Sequence, residues 1–571
     1  MNSCVRTHCF SLAVIGLLSG TANFLLAQSD AIQTDVPALK TVYAHDFYIG
    51  CLLSYRHVGF TSDPQLPGQS AVIAPNGGNL IRYHMNSMSP GNNMKPMYTV
   101  DIAASAAAYQ AATAAQKDSI DTHPVIRFNA DLLAQLDWAQ RQGFTFRGHT
   151  LIWHSQTPAE LFRSGYTSSG ARLSKEKMTE RMDHYIGGVL RLIHNSWPGL
   201  LSALDVVNEA VTDAGLDRTD SEWYLTFGDN RYILKAFELT RKHTLTLGES
   251  QIKLYYNDYN THLPAKADGI VRICTPIFQS GWLDGIGMQE HDSNTSPTAE
   301  QWIASYDKFY PICTEMAITE LDVTTGSATP TARMLQTQAC QYGQLFKCFV
   351  ERSYFSGRGK IISVSKDGLN DQYTFKTNQS SSLWDVKNQC KPAFYAVAEV
   401  GTWYNALDSL LAVTGLLLAS DYTEPTWAAF TAARNTAQTA QSMNYSASLA
   451  AADSLKAAFT SLQKAEKGLI WNISAIEWSE SGSAEQFALH QNYPNPFNPS
   501  TRVDFILPAV AHVQLRIFDL LGREVQRPVD AQLAAGPHSV QISADRLDSG
   551  TYFYQLVAGS LVLTRRMTVL R

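Results

Sequence analysis

Two apolar runs that each end in a glutamate constrain this chain more than any other feature. Leu204-Asp205-Val206-Val207-Asn208-Glu209 places β-branched and apolar residues ahead of an abrupt Asn-Glu, and Met316-Ala317-Ile318-Thr319-Glu320 repeats the design, with Asp322 two positions on. Such runs suit strands covered on both faces, the habit of a parallel sheet flanked by helices. A carboxylate at the C-terminal end of a parallel strand sits where α/β barrels carry their reactive groups. One such glutamate reads as a solvated strand end. Two, delivered to the same edge of a sheet, can stand either side of a glycosidic bond as acid and nucleophile. Asp205, inside the first run, needs a partner if it is buried.

The surrounding pattern agrees. Between Tyr43 and Val400, short apolar runs alternate with amphipathic stretches. Eight strands are expected, at Phe47–Leu53, Ile81–Asn86, Thr145–His149, Ala203–Asn208, Lys253–Asn257, Gly285–Gln289, Met316–Glu320 and Ile361–Val364. Eight βα units over this length predict an α/β fold, a (β/α)8 TIM barrel spanning 43–400. An open doubly wound sheet is the alternative, but no glycine-rich phosphate turn follows the first run. Helices are expected at Ala130–Gln142, with Leu133, Leu136 and Trp138 on its apolar side, and at the Ala-rich Ile102–Gln116. Most strand ends carry polar or aromatic residues, among them Arg147–His154, Tyr255–Asn260 and Gln289-Glu290-His291, which favours a ligand site at that edge. His149, His154 and His291 lack close metal-ligand spacing, so no catalytic metal and no cofactor are expected. A formal net charge of −6 leaves no basic footprint for nucleic acid.

Arg147–His154, Asp205–Glu209, Tyr256–Asn260 and Thr319–Asp322, with Lys391-Pro392-Ala393 near the end of the barrel, resemble the signature stretches of glycoside hydrolase family 10, the retaining endo-β-1,4-xylanases. The resemblance covers roughly Phe47 to Val400. It implies Glu209 as general acid/base and Glu320 as nucleophile, with His291 and Asp322 orienting the nucleophile. Asn208 would bind the 2-hydroxyl of the reacting sugar, and Asn92, Lys95, His149, Trp153 and Gln289 would make glycone-side contacts. The implied substrate is xylan or a related plant polysaccharide. The chain departs from the family at Gly91 (usually Glu), Leu204 (usually Trp), and Asp367 and Phe375 (each where the family has Trp). A retaining hydrolase of another β-glycan, or a glycan-binding protein on a decayed barrel, are therefore the alternatives.

The flanks read as export machinery. Arg6 and His8 precede an apolar stretch from Phe10 to Leu26, the pattern of a signal peptide over 1–27. The apolar run Leu410–Ala419 is too short to span a membrane. Six cysteines follow the signal, enough for disulfides in an exported chain. Residues 402–468 shift to Ala, Ser and Thr, with Leu455, Phe459 and Leu462 at helical spacing and Thr423-Glu424-Pro425 as a helix start. They predict a small helical bundle resembling FIVAR modules. A linker at 479–485 precedes a Pro-rich junction, Tyr493–Pro499. Beyond it, Val503/Phe505/Leu507 and Val513/Leu515/Ile517 alternate, Leu521-Gly522-Arg523 reads as a turn, and Gly550–Tyr554 opens another strand. This is the pattern of a β-sandwich over 488–571. It resembles the C-terminal sorting domain of the type IX secretion system, which implies that machinery as partner, passage through the periplasm, and release or attachment at the cell surface.

Overall fold

Eight parallel strands close on themselves around the centre of the N-terminal unit. A computed structural model describes residues 32–52, 77–376, 378–445, 449–470, 487–519, 523–559 and 561–569. The expected signal peptide, the linker at 479–485 and Leu521-Gly522 lie outside these residues. The strands are β1 (Tyr48–Leu52), β2 (Ser87–Ser89), β3 (Thr145–Trp153), β4 (Leu201–Asn208), β5 (Lys253–Asp258), β6 (Gly285–Met288), β8 (Glu315–Thr324) and β9 (Ile361–Asp367), with β6 pairing β8 to close the ring. A short strand, β7 (His291–Ser293), lies along the C-terminal half of β8. This is the TIM barrel expected from the alternation of apolar runs and helices.

The register brings the candidate residues to one end. Leu52 pairs with Asp367, Trp153 with Asn208, Asn208 with Asn257, and His291 with Asp322. The strands bury both faces, and Leu204, Val206 and Val207 are fully enclosed. Leu204 packs where β3 passes closest: a Cβ on Gly148 would meet its Cδ1 at 2.7 Å, so the strand needs glycine there. The departure from the family at Leu204 is thus a core change, away from the cleft.

Three local expectations need correction. The run Ile81–Asn86 is not a strand. Ile81 and His84 belong to a helix, Gly77–His84, and β2 begins at Ser87. Gly77, Leu80, Ile81 and His84 are its buried positions, a spacing of three to four that marks a helical face. The Ala-rich stretch is two helices, Ile102–Ala111 and Ala114–Thr122, because Thr113 and Gln116 form a capping box that restarts the helix. In Ala130–Gln142, Leu136 and Trp138 are buried as expected, but Leu132 joins them and Leu133 faces outward.

After the barrel, Pro392–Thr414 continues into two more helices, Glu424–Ser442 and Ala451–Lys467. Phe430, Leu455 and Leu462 join the same apolar core as the barrel helices, so these helices belong to one compact unit with it. Thr423 stands at the N-cap as expected, yet its hydroxyl meets Thr426 Oγ1 at 2.9 Å and makes no capping bond to the backbone. Cys51, Cys274, Cys313, Cys340, Cys348 and Cys390 are free thiols, all but Cys390 buried. No described helix is long and apolar enough to cross a membrane.

The C-terminal unit is a two-sheet sandwich. One antiparallel sheet holds β10 (Ala488–Leu489), β11 (Ser500–Leu507) and β14 (Gly536–Ser543). The other holds β13 (Glu524–Leu533), β12 (Ala511–Phe518), β15 (Gly550–Ala558) and β16 (Leu561–Val569). The alternating residues Val503, Phe505 and Leu507 meet Val513, Leu515 and Ile517 in its own core.

Candidate active site

A cleft of about 490 Å³ opens at the C-terminal end of the barrel strands. Asn92, Lys95, His149, Trp153, Asn208, Glu209, Gln289, His291 and Glu320 line it, and so do Leu52, Gly91, Tyr259, Asp367 and Phe375. Of the ten residues singled out from sequence, Asp322 alone stands back from the wall, bonded through its Oδ2 to His291 Nδ1 at 2.9 Å.

Glu209 is held from all sides where β4 breaks. Its φ of +55° is left-handed, a conformation that costs a non-glycine residue about 1–2 kcal/mol. Its N–H donates to Asn257 O at 2.9 Å and its carbonyl accepts from Arg218 Nε at 2.9 Å. Its carboxylate accepts from Trp153 Nε1 (2.9 Å), Gln289 Nε2 (2.9 Å) and Asn208 Nδ2 (3.3 Å).

Glu320, 8% exposed, sits in a different field. Asn257 Nδ2 donates to it at 3.1 Å, and His291 Nε2 lies 3.4 Å away. Burial alone would raise its pKa. The His291 hydrogen bond, with the charges of His149, His291 and Lys95, outweighs burial and holds the carboxyl at about 2. The same contact acts on the imidazole. Burial opposes its protonation, but the hydrogen bonds to Asp322 and Glu320 lift it to about 10. At neutral pH, His291 is therefore an imidazolium clamped between two carboxylates, with Phe375 packed edge-on at 4.7 Å.

Amides tie the two glutamates together. Asn257 Nδ2 reaches both Glu320 Oε1 and Asn208 Oδ1, and Gln289 Nε2 reaches both Asn208 Oδ1 and Glu209 Oε1. Thr319 Oγ1 orients Asn257 through a 2.8 Å bond to its Oδ1. Beneath this layer, Asp205 finds the partners its burial demands: Arg147 grips it through both carboxylate oxygens, and His149 Nδ1 meets Oδ2 at 2.9 Å. With Nδ1–H committed to Asp205, the cleft-side Nε2 of His149 accepts a hydroxyl proton when the ring is neutral and donates when it is charged. Lys95 Nζ bonds Asn92 Oδ1 at 2.7 Å and lies 4.2 Å above the Trp153 ring.

Asn257, Arg147 and Tyr259 were not singled out as site residues from sequence. Asn257 and Tyr259 stand at the polar end of β5 and Arg147 lies early in β3, within the polar stretches Tyr255–Asn260 and Arg147–His154 that were the available signal. Asp367 lies on the cleft wall. Burial, then the charge of Asp322, raises its carboxyl to about 6 against the pull of His291, Thr374 and Lys366. Thr374 Oγ1 and Phe375 N both bond its Oδ2, which leaves Oδ1 without a partner among the described residues.

Residues 491–570 match a secretion system C-terminal sorting domain. Over the barrel, the chain is 32% identical across 394 residues to endo-1,4-beta-xylanase Y of Acetivibrio thermocellus, covering 66% of this chain and 33% of that protein. It is 28% identical to endo-1,4-beta-xylanase B of Paenibacillus barcinonensis, covering 64% of this chain and 99% of that one. The chain thus spans about a third of the first of these relatives and nearly the whole of the second. Among solved structures, it superposes on the Clostridium thermocellum endo-1,4-beta-D-xylanase complexed with xylohexaose, with a TM-score of 0.54 and 31% identity over 63% of this chain and 67% of that one. An intracellular xylanase of Thermoanaerobacterium saccharolyticum, in complex with xylotriose, gives a TM-score of 0.52 at 26% identity over 64% and 100% of the two chains. Residues 38–400 match the model of glycosyl hydrolase family 10, well over half of the molecule, and the chain belongs to that family.

Proposed function

We propose that the protein is an exported retaining endo-β-1,4-xylanase, with Glu320 as nucleophile and Glu209 as acid/base. The observation that carries this reading is two glutamates joined by one amide network at the barrel's open end: Glu320 is held ionised beside the His291 imidazolium, while Glu209 accepts from the Trp153 indole and the Gln289 and Asn208 amides, with His154 Nδ1 at 3.9 Å. Glu320 attacks the anomeric carbon as Glu209 gives its proton to the leaving oxygen. The glycosyl ester on Glu320 is then opened by water, whose proton Glu209 takes back. His291 and Asp322 aim the nucleophile. Asn208 presents Nδ2 toward the 2-hydroxyl, and Asn92, Lys95, His149, Trp153 and Gln289 hold the glycone. The xylan-related names and ligands of the relatives support the substrate.

The assignment is tested by NMR of the first-formed product on a panel of β-glycans. Retention is expected, as for carboxylates roughly 5–5.5 Å apart. A first product of inverted configuration would remove Glu320 as nucleophile. One observation favours a second reading, a β-glycan richer in hydroxyls than xylan: the unpartnered Oδ1 of Asp367 is a hydrogen-bond acceptor that an aromatic residue would not offer.

The domains we propose are a signal peptide at 1–27, a barrel at 43–400, a FIVAR-like helical module or spacer at 402–468 whose helices pack into the barrel's own core, a linker at 479–485 and the sorting domain at 488–571. The sorting-domain match supports export by the type IX machinery through the periplasm, to the medium or the cell surface.

A further inference from the structure

Behind His291, on the side away from the glutamates, two acids lack a basic partner. Glu290, whose φ of +56° is left-handed, and Asp292, on β7, flank His291 in sequence. They are 2% and 4% exposed. Glu290 Oε1 accepts from Thr261 Oγ1 at 3.1 Å, while Glu290 Oε2 and Asp292 Oδ2 are buried without a donor from another residue, the two carboxyls lying close enough to share a proton. No lysine or arginine among the described residues pairs with either acid. Trp302 Nε1, equally unpartnered, faces Glu290 and offers a single neutral donor.

A third group converges from another loop. His262, beside Thr261 after β5, brings one ring nitrogen within 4.8 Å of a carboxylate oxygen from each acid, and those oxygens lie within 4.8 Å of each other. Ligands of one ion at about 2.1–2.2 Å stand roughly 3.5 Å apart in a tetrahedral shell, so closure by up to about 1 Å would complete the set. Burial raises both carboxyls, Glu290 to about 7 and Asp292, which also feels the charges of Glu290 and Asp322, well above its ordinary value; the more distant charges of His291 and Lys376 do not offset it. A shared proton would answer that burial. It would not use the imidazole, which is half-buried and leaves a way in from solvent.

We infer that His262, Glu290 and Asp292 form a binding site for a divalent cation, a mixed nitrogen–oxygen set of the kind that takes Zn²⁺ or Mn²⁺. The ion would neutralise the two acids and complete its shell with water. It would tie the segment carrying Gln289 and His291 to the loop after β5. Its role is structural, since none of the three residues lines the glycan cleft.

The test uses the full chain, stripped with a chelator and titrated separately with Mn²⁺ and Zn²⁺. Calorimetry and elemental analysis should find one bound equivalent, and the melting temperature should rise by a few degrees with saturating ion. His262→Ala, a half-exposed position that should not disturb folding, and Asp292→Asn should each lower affinity at least tenfold. The proposal is overturned if the wild-type chain binds neither ion. It is also overturned if His262→Ala binds as the wild type does, which would move the ion to the cysteines or elsewhere, or if Asp292→Asn raises the melting temperature of a chain that never responds to metal, the mark of a proton-sharing pair.

Discussion

His291 is the residue on which the cleft's electrostatics turn. Its imidazolium keeps Glu320 ionised in a site where burial alone would protonate it, and Asp322 and Glu320 keep the imidazolium charged in return. Replacing His291 with Ala leaves Glu320 with the burial penalty and without its strongest counterweight. The acid limb of kcat/KM on xylan should then move up by at least one pH unit, because the fraction of ionised nucleophile falls at a higher pH. An unmoved acid limb would mean that another group holds Glu320 low. Stability follows the same pair. Glu320, depressed from 4.5 to about 2, contributes stability that is present above pH 4.5 and lost as pH falls towards 2. His291, raised from 6.5 to about 10, contributes stability that is full below pH 6.5 and lost as pH rises towards 10. Urea unfolding of the wild type should therefore show a loss between pH 6.5 and 10 that His291→Ala lacks.

At the scale of elements, the turn Gly91–Met94 presents Asn92 and positions Lys95, and it opens on a glycine with φ +57°. A side chain there must adopt the left-handed conformation at a cost of about 1–2 kcal/mol. Asp tolerates that conformation better than Glu. Gly91→Asp should lower unfolding stability by roughly that amount while placing a carboxylate acceptor on the cleft wall. Charge-assisted hydrogen bonds are the stronger kind, so kcat/KM on xylotriose should rise more than on xylan, whose additional sugars dilute one contact. A trimer rate no better than wild type, in a folded variant, would mean the glycone does not reach this turn. What could be read in the sequence follows the same division. Strands with both faces buried announce themselves as apolar runs, so β4, β5 and β8 were legible. The three-residue β2 was not, because the helix before it carries the longer apolar pattern. Glu209 and Glu320 were legible because each ends such a run. The Asn257–Asn208–Gln289 relay was not, because its bonds join three strands far apart in the chain. Asp367 was visible as a departure, but its unpartnered oxygen depends on Thr374 folding back on it.

The whole molecule divides into two units with separate apolar cores, Met1–Trp471 and Asn472–Arg571. The catalytic candidates and the residues that hold them lie in the first. In the second, Val503, Phe505, Leu515, Ile517, Tyr554 and Leu556 close the sandwich's own core. Its edge strand β13 carries an ionic ladder, with Glu524 accepting from Arg516 and Arg527 and Asp530 accepting from Arg527. Charged side chains on an exposed edge discourage pairing with other chains, as a separately folded sandwich requires. Domains with their own cores unfold and are removed independently. Deleting residues 488–571 should therefore leave kcat and KM of the purified enzyme on xylan unchanged and remove one of two thermal transitions. In the native host, the shortened enzyme should collect in the periplasm, because the segment matched to a sorting domain is the part removed. A truncated enzyme that is active but still reaches the medium would refute the sorting role. A truncated enzyme that reaches the periplasm folded but inactive would show that the barrel depends on the tail, against the separation of the two cores.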